Sequence, residues 1–400
     1  MLLQKCGSYL STLCIEIPER SVGSPGNRLA TRFFTQEIQS FGWETEISEF
    51  AAFDWEEEGA TLLAGGDSFE LFVSPYSLGC SAEEHLVAAS TIEELENLSM
   101  NGRILLLHGE IAKEQLMPKN FVFYNPDEHK RIIAILEEKK PAAIISATGR
   151  NAALAGGVYP FPLLEDGDFD IPSVYMTEEE GSRLAAYVGK PIVLKSSSER
   201  IPGKGYNVVA RKGKNAAGRI VISAHIDAKK GTPGAIDNAS GVVVLLLLAA
   251  LLKEYNGDRL IEIVAFNGED YYAVPGQMLY LSQNRDRFNE IILNINIDGA
   301  GYKEGNTAFS LFNLPLQIKD KVDAILDEYD GIIEGVQWVQ GDHSIFIQNG
   351  RPAIAVSSLW FTENIDTQDI THTPKDDIDI VDCNKLVEIA EALDSFLRGK

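Results

Sequence analysis

Apolar residues recur at helical spacing over residues 27–41, after the polar turn Gly23-Ser24-Pro25-Gly26 and before Gly42, which predicts a surface helix opening the fold. From about residue 52 to 200 the texture changes to short β-like runs, such as 103–107 and 142–146, separated by acidic and Gly/Pro-containing loops. Within that stretch residues 127–139 keep helical spacing and run directly into the strand at 142–146, giving a β-α-β unit with a small core of its own. A short extended piece at 171–174 precedes a helix predicted over 178–188.

Beyond residue 205 strands and helices alternate. Strands are predicted at 219–224, 260–266, 291–297 and 352–357, and helices at 241–255, 277–288, 314–329 and 384–397. Such alternation predicts an α/β domain with a mixed, largely parallel sheet sandwiched by helices. The expected organisation is one domain formed by residues 1–50 and 201–400, interrupted by a β-rich insertion at 51–200. The most apolar run, 242–252, falls short of the roughly 20 residues a bilayer-spanning helix needs and reads as a buried core helix.

Composition narrows the partners. Asp plus Glu number 59 against 35 Lys plus Arg, a formal charge of −24, which opposes binding to nucleic acid or an anionic membrane and favours a cationic ligand. The four cysteines, Cys6, Cys14, Cys80 and Cys383, form no close pair along the chain, so buried or idle thiols are expected rather than a disulfide framework or zinc knuckle. The first residues lack the basic and apolar segments of a secretory signal, so a cytoplasmic location is expected. Neither a GxSxG elbow, a Walker A loop nor a complete GxGxxG is present.

In open α/β sheets, ligands bind beyond the C-terminal ends of the strands. His225 and Asp227 follow the first of the predicted strands, Glu269 and Asp270 the second, and Asp298 the third, while the fourth leads on to His372. Each has a plain reading alone: Asp237-Asn238 as a helix N-cap, Glu269-Asp270 as solvated charge, Asp298 as a turn before Gly299, and His372 as a loop histidine. Together they aim carboxylates and imidazoles at one sheet edge, the requirement for a metal centre. Asp237 can use both oxygens to bridge two cations, Asp227 is placed to orient the His225 ring, and Asp376 to hold that of His372. Of the paired acids Glu269 and Asp270, one would bind metal while its neighbour moves a proton between water and leaving amine. His343, in Gly341-Asp342-His343-Ser344, receives no metal; it lines the pocket or supports a loop.

The succession His-x-Asp, Asp-Asn, paired acids, Asp, Asp-His and His-Thr-Pro-x-Asp resembles the M28 family of zinc aminopeptidases, and Gly23-Ser24-Pro25-Gly26-Asn27 resembles its opening turn. Residues 51–200 resemble the inserted protease-associated domain of several peptidase families. The resemblance implies a zinc exopeptidase-like fold and hydrolysis of peptides with a free N-terminus. It assigns one zinc to His225, Asp237 and Asp298 and a second to Asp237, Asp270 and His372, with cobalt or manganese as substitutes and Glu269 as general acid and base. Two positions depart from the pattern. Asp270 stands where the family usually has Glu, leaving open a second site of lower affinity or for another metal; Thr371 replaces a frequent tyrosine, leaving oxyanion stabilisation to the metals or to Tyr271, Tyr272 or Tyr302. Two other functions fit the same pattern: acyl transfer like that of glutaminyl cyclases, and a non-catalytic relative lacking the second metal.

Overall fold

A computed structural model describes residues 1–17, 19–150 and 155–399. The chain divides into two compact units, Met1–Ala52 with Lys204–Lys400, and Phe53–Gly203.

In the first unit the strands run in the order Ile332–Gly335, Thr307–Phe312, Ala353–Ser358, Ile291–Ile297, Arg219–His225, Leu260–Phe266, followed by the end of Pro191–Lys212. The four strands from Ala353–Ser358 to Leu260–Phe266 are mutually parallel; Thr307–Phe312 pairs antiparallel with Ala353–Ser358, as does residues 208–212 with Leu260–Phe266. The mixed, mostly parallel sheet expected from the alternation is therefore present. Thr307–Phe312, Ile332–Gly335 and the helices Leu2–Ser11 and His343–Gln348 were not anticipated.

The helix Ser240–Leu251 explains the most apolar run. Every residue from Ser240 to Ala249 is buried, because the helix is enclosed by the sheet and by Leu2–Ser11, Pro25–Ser40 and Cys383–Arg398. The stretch Ala235–Glu254 is long and apolar enough to cross a bilayer by composition, with a mean hydropathy of 2.2, but 83% of that window is buried inside the fold. Each leucine enclosed there contributes about 1.5–3 kcal/mol relative to exposure, so the helix anchors the unit. Pro25–Ser40 starts as its sequence implies: Ser24 caps the Asn27 amide at 3.0 Å and Pro25 occupies the first turn.

The four cysteines are free, and Cys6 and Cys14 are buried, as their spacing led us to expect. Cys6 and Cys383, separated by 377 positions, are brought to an Sγ–Sγ distance of 2.7 Å. Spacing along the chain concealed the pair because it is made by packing the first helix on the last.

The second unit holds strands Cys80–Ala89, Ile104–Leu107, Ala143–Thr148 and Ser173–Thr177, in that order and mutually parallel, with Phe72–Val73 antiparallel at the edge. The helix Asp127–Lys139 connects Ile104–Leu107 to Ala143–Thr148, the β-α-β unit read from its periodicity. Its core includes Leu105, Leu107, Ile132, Leu136 and Ile144.

Candidate metal centre

His225 is the last residue of its strand and lies in register with Phe266, so the loop after Phe266 places Glu269 and Asp270 beside it; Asp298 follows the neighbouring strand Ile291–Ile297. The His225 Nε2 atom is 3.1 Å from Asp237 Oδ1 and 3.6 Å from Asp298 Oδ1. The second oxygen of Asp237 lies 3.1 Å from His372 Nε2, which is also 3.1 Å from Asp270 Oδ1. All five ligand candidates thus form one chain of contacts with Asp237 at its middle, one oxygen turned to each imidazole. His372 reaches this position from a backbone φ of +62°, in the left-handed region that few non-glycine residues occupy.

These residues fit a bound cation. Ligand atoms of His225, Asp237 and Asp270 all lie within 4.8 Å of one another, a nitrogen and oxygen donor set suited to zinc. Asp270 Oδ2 is buried and makes no hydrogen bond, as an atom reserved for a cation would be. Electrostatics gives the same result. Burial works against a charged His225, yet the Asp298 charge and bonds to Asp237 and Asp298 raise its pKa well above 6.5. His372 behaves alike: burial is outweighed by the Asp270 charge and by bonds to Asp237 and Asp270. Asp237, although burial opposes its ionisation, is held well below the usual carboxylate range by the two histidines. The carboxylates thus make a site that favours positive charge.

Glu269 is half-buried, and its pKa is raised well above 4.5, first by burial and then, against the lowering influence of His225, by the charges of Asp298, Asp270 and Asp342. A carboxyl displaced upward in this way suits proton transfer near neutral pH.

The supporting contacts correct two expectations. Asp227 uses its carboxylate mainly to accept the Gly268 amide at 2.7 Å and the Asp270 amide at 3.0 Å; the His225 Nδ1 atom is 3.2 Å from the Asp227 carbonyl and 3.8 Å from its carboxylate. Asp227 therefore fixes the Glu269-Asp270 loop and meets the imidazole chiefly through its backbone, since two adjacent amides are stronger claimants than one more distant ring nitrogen. Gly268 has φ +117°, and a Cβ there would lie 2.9 Å from Pro275, so this turn requires glycine. Asp376, expected beside His372, instead accepts the amides of Ile236 at 2.6 Å and Asp237 at 3.0 Å. It holds the middle carboxylate by its backbone. The helix-cap reading of Asp237-Asn238 belongs to Asn238, whose Oδ1 accepts the Gly241 amide while its Nδ2 donates to the Ile297 carbonyl, leaving the Asp237 carboxylate free.

Arg20 was not singled out in the sequence, although it sits just before the Gly23-Ser24-Pro25-Gly26 turn. It is 1% exposed and donates to the carbonyls of Leu13, Ile226, Pro233 and Gly234 at 2.6–3.1 Å, which ties down the loop between His225 and Asp237 at both ends. Asn27 joins this frame to the acid loop through Arg20 O and through reciprocal bonds with Asn267. His343 is buried between Phe312 and Trp338 and bonds the Trp338 carbonyl at 2.9 Å, the loop-supporting role considered for it. Tyr271, Tyr272 and Tyr302 are all nearly buried, Tyr302 against Trp360 and Phe361.

Residues 207–397 match the profile of Peptidase family M28. The chain is 25% identical over 293 residues to the probable lipoprotein aminopeptidase LpqL of Mycobacterium tuberculosis, covering 70% of this chain and 54% of that protein. It is 25% identical over 151 residues to aminopeptidase YwaD of Bacillus subtilis, covering 37% of this chain and 33% of that one. The matched region thus spans about half or less of these curated relatives. Among solved structures, an aminopeptidase from Aneurinibacillus sp. strain AM-1 superposes with a TM-score of 0.74 at 22% identity, covering 99% of this chain and 93% of that chain. BSAP, a zinc aminopeptidase from Bacillus subtilis, gives 0.75 at 17% identity, with 99% and 94% covered. The fold is that of these aminopeptidase structures.

Proposed function

We propose that the chain is an M28-type zinc aminopeptidase that removes N-terminal residues from peptides. The observation carrying this reading is Asp237 in contact with both His225 and His372, one carboxylate oxygen directed to each. His225, Asp237 and Asp298 would hold one zinc, and Asp237, Asp270 and His372 the second. Zinc in such a site polarises a carbonyl and lowers the pKa of a coordinated water to about 7.

The chain's own residues supply the rest. Glu269 accepts a proton from the attacking water at its carboxylate and returns it to the departing amine nitrogen, so the peptide bond breaks as the acyl carbon gains oxygen. Asp227 and Asp376 fix the backbones that carry Glu269, Asp270 and Asp237. A protonated α-amine complements the concentration of carboxylates, which favours substrates with a free N-terminus. Phe53–Gly203 is read as the protease-associated-like insertion; the solved aminopeptidases align over 99% of the chain, this unit included.

The test combines metal analysis of zinc-equilibrated protein with product analysis on one Gln-initiated peptide. Two zinc ions per chain and release of free glutamine are expected. Loss of ammonia with every peptide bond retained would instead establish cyclisation, and absence of both zinc and turnover would leave a non-catalytic relative.

A further inference from the structure

The first helix, Leu2–Ser11, and the last, Cys383–Arg398, pack on each other and on the core helix Ser240–Leu251. At their contact the Cys6 and Cys383 sulfurs are 2.7 Å apart. Cys6 is fully buried, whereas Cys383 is partly exposed at the start of its helix. The other two cysteines differ: Cys14 is buried, and Cys80 lies in the other unit beside Ser196.

We propose that Cys6 and Cys383 form a disulfide that staples the two terminal helices. The sulfurs are already within about 0.7 Å of bonding distance, so closure requires only a small side-chain adjustment. Exposure sets the order of events. With a disulfide oxidant such as oxidised glutathione, the Cys383 thiolate attacks one oxidant sulfur and expels a glutathione thiolate. Cys6 then gives up its proton and attacks the Cys383 sulfur of the mixed disulfide, forming the Cys6–Cys383 bond and expelling the second thiolate; both leaving groups take up protons as thiols. Burial, reinforced by the hydrogen bond to Cys383, pushes the Cys6 thiol up, which makes the closing step the slow one. The ring joins residues 377 positions apart, so the cross-link constrains nearly the whole unfolded chain.

The experiment equilibrates folded full-length protein with a series of oxidised-to-reduced glutathione ratios, quenches it in acid, alkylates under denaturing conditions and maps the peptides. The expected result is a linked Cys6–Cys383 peptide pair that reduction releases, accompanied by a rise in Tm of roughly 5 °C or more. C6S and C383S must each abolish both effects, and C80S must preserve them. Glutathione appearing on Cys80 confirms that the oxidant was active. If Cys80 is capped while Cys6 and Cys383 stay reduced, or Cys383 retains glutathione without passing to Cys6, the proposal fails.

Discussion

Both units of this molecule are built on parallel strands with connecting helices, yet among the described residues the cluster of acids and imidazoles lies at the strand ends of the first. In the first unit, buried acids and imidazoles face one another at contact distances, with Asp270 Oδ2 left without a hydrogen bond. In the inserted unit, His129 accepts the Met117 amide at 3.0 Å, and Asp166 accepts the amides of Lys119 and Asp168. A parallel sheet therefore offers a place for chemistry without creating it. What separates the units is whether polar groups at the strand ends close on their own backbone or on each other.

The contrast can be broken most severely at Glu269. Glu269→Gln should lower kcat on an aminoacyl anilide by about 10²–10⁴-fold while zinc content, measured by elemental analysis, stays at the wild-type value. Loss of metal together with activity would show that Glu269 is a ligand or a structural group.

Next in size is the frame. Arg20→Ala strands three carbonyls on the His225–Asp237 loop, together with that of Leu13, and should weaken zinc binding about 10–100-fold in a chelator competition and cost roughly 2–4 kcal/mol in denaturant unfolding. Zinc affinity unchanged in a folded variant would separate this loop from the metal centre.

A third effect distinguishes protons from metal. The folded pKa of Asp376 is pushed up to about 7, by burial and then by the Asp237 charge, above an unfolded value near 3.9. Its contribution to stability is thus fully present below about pH 4 and is lost as pH rises through 7. His225 and His372, raised well above 6.5, act with the same sign at higher pH. Metal-free protein should therefore melt at progressively lower temperature from about pH 6 to pH 9, with a shallower slope in Asp376→Asn and in the zinc-loaded protein. A metal-free melting temperature that is flat or rises over this range would contradict the assignment of cluster charges.

The smallest effect belongs to the inserted unit. His129→Ala should cost about 1–2 kcal/mol by unsatisfying the Met117 amide, with kcat and zinc content unaltered. A change in either would mean that the inserted unit contributes to the chemistry.

Much of this was legible in the chain. The strands ending at His225, Phe266 and Ile297 announce themselves as apolar runs, and the order of His225, Asp237, Glu269, Asp270, Asp298 and His372 relative to them pointed to one sheet edge. The roles of Asp227 and Asp376 were misjudged because proximity in sequence favours the nearest histidine, whereas folding offered each carboxylate two backbone amides. Short elements such as Ile332–Gly335 escaped because four residues carry too little periodicity to read.

By itself, then, the sequence determined the alternating elements, the buried helix and the residue types available for a metal centre, since all three follow from local spacing. Only the tertiary structure decided that Arg20 would clamp the His225–Asp237 loop, that Asn27 would meet Asn267, and that Cys6 would meet Cys383. The physical reason is shared by all three. A buried polar or reactive group takes its partner from whichever segment packs against it, and that choice belongs to the folded core.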